Sequence, residues 1–441
     1  TPESAGHIGY WVFGYVPEPW TLYKNIVSLK PGTWMNININ AEKNTGEFQS
    51  IKKIMESNPL ESHEVDTSKN LNNSYCRDKP LRDILVDSVR HHLISDAPIG
   101  VFLSAGIDST TLTAIASEFK SKVHTVTLGF EEYRESYADE TIIAEKIAKK
   151  YGCQHSTVWI GRSEFEDILS KFISAMDQPS TDGLNTWLIS RAASKLGLKV
   201  AISGIGGDEL FGGYPSFQQL PRIKKITRFF KDIPRVGVFT RDFSKLFLQS
   251  FTSAKYASLF EYGPTWSGAY LLRRATRMPW EVYSLLGKKF NGVTYTKDFI
   301  SSGIKSLVGS FQSDLSFENM ENSHKIVSFL EVTQYMKNQL LRDADWAGMA
   351  HSLEIRVPIV DILVLTYINQ DLENGFSKIH LKGDLAKCAN PPLLSEVISR
   401  PKTGFTVPVK DWIMQDNSQD KCQRGQRDWQ SYVMSNFYES T

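Results

Sequence analysis

Hydrophobic positions recur along this chain at two different periods, and the alternation between them predicts its elements. From Leu81 the apolar residues Leu81, Ile84, Leu85, Val89 and Leu93 fall at helical spacing. Short apolar runs at Ile99 to Leu103 and Val123 to Leu128 read as buried strands. The spacing then predicts a helix over Asp139 to Tyr151, with Ile142, Ile143, Ile147 and Tyr151 on one face, and a strand at His155 to Ile160. Helical patterns over Phe165 to Met176 and Asn185 to Lys195 lead into a strand at Lys199 to Ile202. Strands separated by amphipathic helices of this length imply βαβ crossovers and a parallel sheet covered on both faces.

The flanks read differently. Residues 1 to about 50 are aromatic-rich and punctuated by Gly and Pro, and the β-prone runs Tyr10 to Phe13 and Thr33 to Ile39 predict strands and turns. Ser57 to Asp78 is polar and reads as a linker. Beyond Tyr214 the pattern is mostly helical, ending in a polar tail after Gln415. The expected fold class is α/β: a parallel-sheet core followed by a mostly helical C-terminal region.

Composition narrows the function. The chain has 441 residues, with 50 Lys and Arg against 49 Asp and Glu. That balance lacks the field that sequence-independent nucleic-acid binding or attraction to an anionic membrane requires, so neither partner is expected. At about 150 residues per domain the length allows two or three domains. Cys76, Cys153, Cys388 and Cys422 form no CxxC pair, which argues against a disulfide framework or structural zinc and fits a reducing compartment. With no long apolar span and no leader-like start, a cytoplasmic enzyme is expected. The first residue is Thr1, not Met, so the chain reads as processed or as a piece of something longer.

Two loops carry the candidate chemistry. The strand at Ile99 to Leu103 runs into Ser104-Ala105-Gly106-Ile107-Asp108-Ser109, with a helix expected from Thr110. A small-residue turn into a helix start presents backbone N–H groups and the positive end of the helix dipole, which suits pyrophosphate. Asp108 is placed to hold Mg²⁺ against the phosphates. The absence of GK[ST] excludes a Walker A loop. The second loop, Ser203-Gly204-Ile205-Gly206-Gly207-Asp208-Glu209-Leu210-Phe211-Gly212-Gly213-Tyr214, follows the strand at Lys199 to Ile202. Its glycines mark a close approach of backbone to ligand or, taken alone, a flexible connection.

Together the loops resemble the ATP-pyrophosphatase synthetase domain of the asparagine synthetase family. Leu341-Arg342-Asp343-Ala344-Asp345 through Met349-Ala350-His351-Ser352-Leu353-Glu354-Ile355-Arg356-Val357-Pro358 and Asp361 is similar to a further segment of that family. So is Arg400-Pro401-Lys402-Thr403-Gly404-Phe405 with Val407 and Pro408. The resemblance runs from about Gly6 to Trp412. It implies an ATP-pyrophosphatase (adenine nucleotide α-hydrolase-like) core that adenylates a carboxylate, aspartate in the family, and then transfers ammonia to it. It also implies roles: Ser104, Gly106, Asp108 and Ser109 for pyrophosphate, Asp108 and Asp208 for Mg²⁺, and Leu103, Leu128, Ser203 and Gly204 along the ATP. Lys402 would stabilise the charged transition states. Asp345, Glu354, Arg356 and Ile205 would meet the substrate or intermediate, although Glu354 and Arg356 also read as a structural ion pair. Asp139 and Glu140 match an acidic pair near the nucleotide or an ordinary first turn of a helix, and His351 reads as a packed or capping residue.

Two departures change what the resemblance implies. Ile205 stands where asparagine-forming members carry Glu, and isoleucine accepts no proton, so another base, a water or another nucleophile is needed. The carboxylate acceptor is then aspartate or some other small molecule, such as a sugar acid or a peptide side chain. A non-catalytic ATP-binding subunit is the alternative from another class. The second departure lies at the start, where Tyr10 to Gly32 resembles the end of a glutaminase half. Thr1 reads as a cut end rather than a nucleophile. Ammonia is expected free or from a glutaminase domain or subunit supplied elsewhere, and a homodimer is allowed. The expected division is 1–56 as a glutaminase-like remnant, 57–79 as linker, 80–415 as the synthetase domain and 416–441 as tail.

Overall fold

The computed structural model describes residues 1–37, 43–47, 79–120, 122–231, 233, 237–242, 254–290, 292–313, 322–373, 381–401, 407–408, 412 and 421–438. The linker expected at 57–78, Cys76 and Lys402 with Gly404 and Phe405 lie outside them.

The chain opens on helix α1, Ser4–Phe13, where Tyr10 to Phe13 reads as a strand from sequence. Glu3 accepts from the Ala5 N–H at its start, and Gly14 closes it at φ +88° with its N–H on the Tyr10 carbonyl, 2.7 Å. Residues Ala5 to Phe13 are all buried. A helix buried on every side has no polar face, so aromatic and β-branched composition misstates it and tertiary packing decides. Strands β1 (Thr33–Ile37) and β2 (Lys43–Glu47) form an antiparallel pair; the first matches the run expected there.

The alternating region forms the elements its periodicity predicts, but Ile142, expected on the apolar face of the helix after the second strand, is exposed, and Thr141, Ala144, Ile147 and Ala148 make the buried face instead. Helix α2 (Leu81–His92) precedes β3 (Ile99–Phe102), α3 (Ile107–Phe119), β4 (His124–Phe130), α4 (Thr141–Lys150) and β5 (Gln154–Ile160). Then come α5 (Arg162–Ser174), α6 (Leu184–Lys195) and β6 (Val200–Ile202). A further strand, β7 (Glu354–Arg356), completes a five-stranded parallel sheet of order β5-β4-β3-β6-β7. The central pair β3 and β6 puts Ile99 opposite Val200 and Val101 opposite Ile202, which brings their carboxyl ends together. Such adjacent ends are where open α/β sheets bind ligands.

The rest is mostly helical, as expected. A π-helical stretch, Glu331–Leu340, runs directly into α7, Leu341–Met349, which packs on α6. The end of the chain corrects the tail expected at 416–441. Lys421–Phe437 forms helix α8, with Trp429, Val433, Met434 and Phe437 buried in the main core. Gln430 of α8 is fully buried; its Nε2 donates to the carbonyls of Tyr10 (2.6 Å) and Trp11 (3.2 Å), and the Tyr10 hydroxyl donates back to the Gln430 carbonyl (2.7 Å). The first helix and the last therefore share the core of the sheet domain. Among the described residues no helix is long and apolar enough to cross a membrane.

Candidate active site

The turn after β3 is fastened by its own hydroxyls. Ser104 and Ser109 share a hydrogen bond of 2.8 Å between their Oγ atoms; the Gly106 N–H donates to Ser104 Oγ at 3.2 Å and the Ser104 N–H to Ser109 Oγ at 3.1 Å. Gly106 caps α3 in an extended conformation, and Asp108 sits in that helix's first turn. The second loop lies directly on Asp108: a Cβ at Gly204 would stand 2.9 Å from the Asp108 Cβ, and one at Gly207 would strike its carboxyl. At Gly206, φ is +96°, a left-handed conformation that favours glycine. Gly204 and Gly207 thus make room for one aspartate.

Asp208 lies in the first turn of the short helix Gly207–Phe211, and the same cation reaches both acids. Lys382 Nζ pairs with Asp108 Oδ1 and stands 2.7 Å from Asp208 Oδ1. Burial works against the Lys382 charge, but the Asp108 and Asp208 carboxylates outweigh it and raise its pKa. Next to Asp208, Glu209 is buried and accepts from the Tyr214 hydroxyl at 2.6 Å; burial first, then the Asp208 charge, push it up to about 7.

A cavity of about 260 Å³ opens between the loops. Leu103, Ser104, Gly106, Asp108, Ser109, Leu128, Ser203, Gly204 and Ile205 line it, so nine residues singled out from the sequence meet in one place. Asp208 is tied to them through Lys382. Asp182, Asn185, Ile189, Leu340, Asp343 and Ile355 form another part of the wall.

The remaining candidates fall elsewhere. Glu354 and Arg356 do not line the cavity; their strand neighbour Ile355 does, because side chains alternate along β7. Arg356 Nε instead pairs with Glu354 at 2.9 Å, and its Nη1 donates to the His92 and Ile94 carbonyls at 2.7 and 2.6 Å. This is the ion-pair reading, and the hydrogen bond from Arg356 lowers the Glu354 pKa. Asp345 is exposed and points away, whereas Asp343, two residues earlier on α7, is buried and faces the cavity. Asp139 lies just before α4, and its Oδ1 accepts from the Thr141 N–H (2.9 Å) and hydroxyl (2.6 Å). Glu140 reaches the first loop, accepting from the Ala105 N–H at 3.4 Å. The His351 ring packs edge-on against Trp187 at 4.5 Å, and burial pushes its pKa down to about 4.

Lys382, Asp182 and Asp343 are the residues that sequence reasoning missed. Lys382 and Asp182 carry no local signal. Asp343 does: it follows Leu340 by three residues and precedes Ala347 by four, an acid on the apolar face of a helix.

A cavity over the carboxyl ends of adjacent parallel strands, with a serine-bound turn on one side and an acid-bearing glycine loop on the other, defines an α/β nucleotide-binding domain of the ATP-pyrophosphatase class. Residues 80–439 match the family model for asparagine synthase, and the chain belongs to that family. It is 27% identical over 423 residues to asparagine synthetase (glutamine-hydrolysing) 1 of Bacillus subtilis, an alignment covering 92% of this chain and 59% of that protein. It is 26% identical over 415 residues to a putative asparagine synthetase (glutamine-hydrolysing) of Mycobacterium bovis, covering 92% and 58%. An amidase of Penicillium rubens is 22% identical over 374 residues, covering 75% of this chain and 52% of its own. The chain therefore spans less than two thirds of the length of these relatives. The family match runs through α8, in keeping with its place in the core.

Proposed function

We propose that this chain is an ATP-dependent amide synthetase. A substrate carboxylate oxygen attacks the α-phosphorus of ATP and pyrophosphate leaves; ammonia then attacks the acyl carbon and AMP leaves. The protein's part in such a reaction is placement and charge neutralisation rather than covalent chemistry. Ser104, Gly106 and Ser109, at the start of α3, receive the pyrophosphate, while Leu103, Leu128, Ser203 and Gly204 border the nucleotide. Lys402 keeps the role implied by its motif, at the α-phosphate and acyl carbon.

The observation that supports this reading is the convergence of Asp108 and Asp208, from two separate loops, on one point beside the cavity. Among the described residues no group of three or more His, Cys, Asp and Glu is arranged as a metal site. The two acids nonetheless fit a single small cation, since Lys382 Nζ reaches both. Asp108 and Asp208 would hold Mg²⁺, with Lys382 moving aside onto phosphate. Bound there, Mg²⁺ supplies charge neutralisation for the departing pyrophosphate.

Pyrophosphate exchange into ATP, measured across a panel of carboxylates beginning with L-aspartate, tests the assignment. Asp108→Asn should abolish substrate-dependent exchange; near-normal exchange in that variant would overturn it.

The cavity wall favours an acceptor other than aspartate as the second reading. Ile189, Ile205, Leu340 and Ile355 set apolar side chains beside the Asp182 and Asp343 carboxylates in that wall, and among the described residues no Lys or Arg lines the cavity to receive an α-carboxylate. Ammonia would come from solution or from a glutaminase half, an activity named in the relatives' own descriptions.

A further inference from the structure

Ammonia that has attacked an acyl carbon carries a positive charge and must lose a proton before a stable amide results. Ile205 lines the cavity and accepts none. Three described carboxylates line the same cavity: Asp108, Asp182 and Asp343. Asp108 is taken up by Lys382 at the phosphate end. The other two lie together in the wall that holds Leu340 and Ile355.

Asp343 is 3% exposed and fixed at both oxygens. Its Oδ1 accepts from Trp346 Nε1 at 2.9 Å and its Oδ2 from the Ser180 hydroxyl at 2.8 Å, and Gln339 Nε2 donates to that hydroxyl at 3.1 Å. Asp182 accepts from the Tyr335 hydroxyl at 2.7 Å. A Cβ added to Gly183 would lie 3.2 Å from the Asp343 Cγ, so the turn that carries Asp182 packs directly on Asp343. A buried acid with both oxygens held in place at the cavity wall has the fixed placement that a general base needs.

We propose that Asp343, with Asp182 beside it, is the base that takes the proton from the nitrogen nucleophile at the acyl end of the cavity. The proposal rests on the amide-synthetase reading above. Ammonia's lone pair forms the C–N bond, the C–O bond to AMP breaks with its electron pair going to the phosphate oxygen, and one proton passes from nitrogen to the Asp343 carboxylate. Asp343 then returns that proton to solvent.

Burial first, and then the Asp182 charge, push Asp343 up to about 7, against the pull of Trp346, Ser180 and Arg342. The charged and titratable groups around it are Asp182 from the turn before α6, with Tyr335 behind it, and Arg342 of α7. A base near 7 is well matched to neutral solution.

The test separates the two half-reactions, using whichever carboxylate of the panel supports pyrophosphate exchange in the wild type. In Asp343→Asn, exchange should stay within about threefold while ammonia-dependent amide formation falls about 100-fold or more. At a constant concentration of free NH3, wild-type amide formation should rise with pH through about 7. In Asp182→Asn that rise should move to lower pH, because a like charge that raises the Asp343 pKa is gone; a purely structural role would leave it in place. Equal losses of exchange and amide formation in Asp343→Asn, or an unmoved pH limb in Asp182→Asn, would overturn the assignment. If Asp343→Asn does not fold, Asp182→Asn decides. If no carboxylate supports exchange in the wild type, the amide-synthetase reading itself falls and takes the base with it. If the wild type supports exchange but either overturning result appears in the variants, the base alone falls and the amide-synthetase reading stands.

Discussion

Lys382 Nζ stands 2.7 Å from Asp208 Oδ1 and pairs as well with Asp108, so one ammonium joins the acids of two loops whose sequence positions are 100 apart. The three side chains are about a fifth exposed. Removing one partner of a fully buried pair costs about 3–5 kcal/mol, and partial exposure reduces this. Lys382→Met should therefore lower unfolding stability by about 2 kcal/mol. Millimolar Mg²⁺ should recover more stability in the variant than in the wild type, as read by thermal unfolding. An equal response in both would count against a cation position shared by the two acids.

Glycine matters in the second loop for space rather than flexibility. At Gly204 an added methyl would meet the Asp108 Cβ at 2.9 Å and the Ser109 backbone nitrogen at 3.2 Å. Gly204→Ala should reduce pyrophosphate exchange at least about tenfold by displacing the first loop, a misplacement effect. Gly152→Ala is the control: its φ of +68° is strained for alanine, but nothing lies within 4 Å. That variant should lose about 1 kcal/mol of stability and keep its exchange.

The last helix belongs to the core, and its removal should show it. Trp429 is buried, stacks on Phe172 at 6.2 Å and donates from its indole N–H to the Thr181 carbonyl at 3.0 Å. Trp429→Ala should cost about 3 kcal/mol in urea unfolding, the range for large buried aromatics. A change below about 0.5 kcal/mol, the ordinary result for a surface position, would mean that α8 is detached from the core.

His7 gives the fold an acid limit. Its ring is fully buried in α1; Nδ1 shares a hydrogen bond with the Tyr295 hydroxyl at 2.9 Å and Nε2 with the Tyr438 hydroxyl at 3.4 Å. Burial lowers its pKa from 6.5 to about 4. The unfolded chain therefore binds the proton first, so this contribution is complete above pH 6.5 and is lost as pH falls toward 4. The loss is on the order of 3 kcal/mol and should be absent in His7→Gln, measured by urea unfolding at pH 7 and pH 4.5.

Much of the α/β core was legible because its signals are local. Between Leu81 and Ile202, α2 and α5 show an apolar face and β3 and β6 a short apolar run, so these elements fall within a few residues of their observed ends. Helix α1 was not legible, because a segment buried on all sides shows no period. Helix α8 was hidden by its polar composition, although Trp429, Val433 and Phe437 recur at a helical interval.

At the site, the sequence by itself determined the two loops. A strand that ends in small residues and a helix that begins with an acid are written in consecutive positions, and Asp108, Ser109, Ser203 and Gly204 arrive at the cavity by that local logic. Which charges meet there was decided only by the tertiary structure. Lys382 reaches Asp108 across 274 residues, and Asp343 packs on the Asp182 turn across more than 150. A pairing between distant positions leaves no mark in the spacing of either, since it is burial and the removal of water that make the contact strong. On α7, Asp343 and Asp345 are equivalent as letters, and the 100° turn per residue of a helix buries one beside the cavity and leaves the other in solvent.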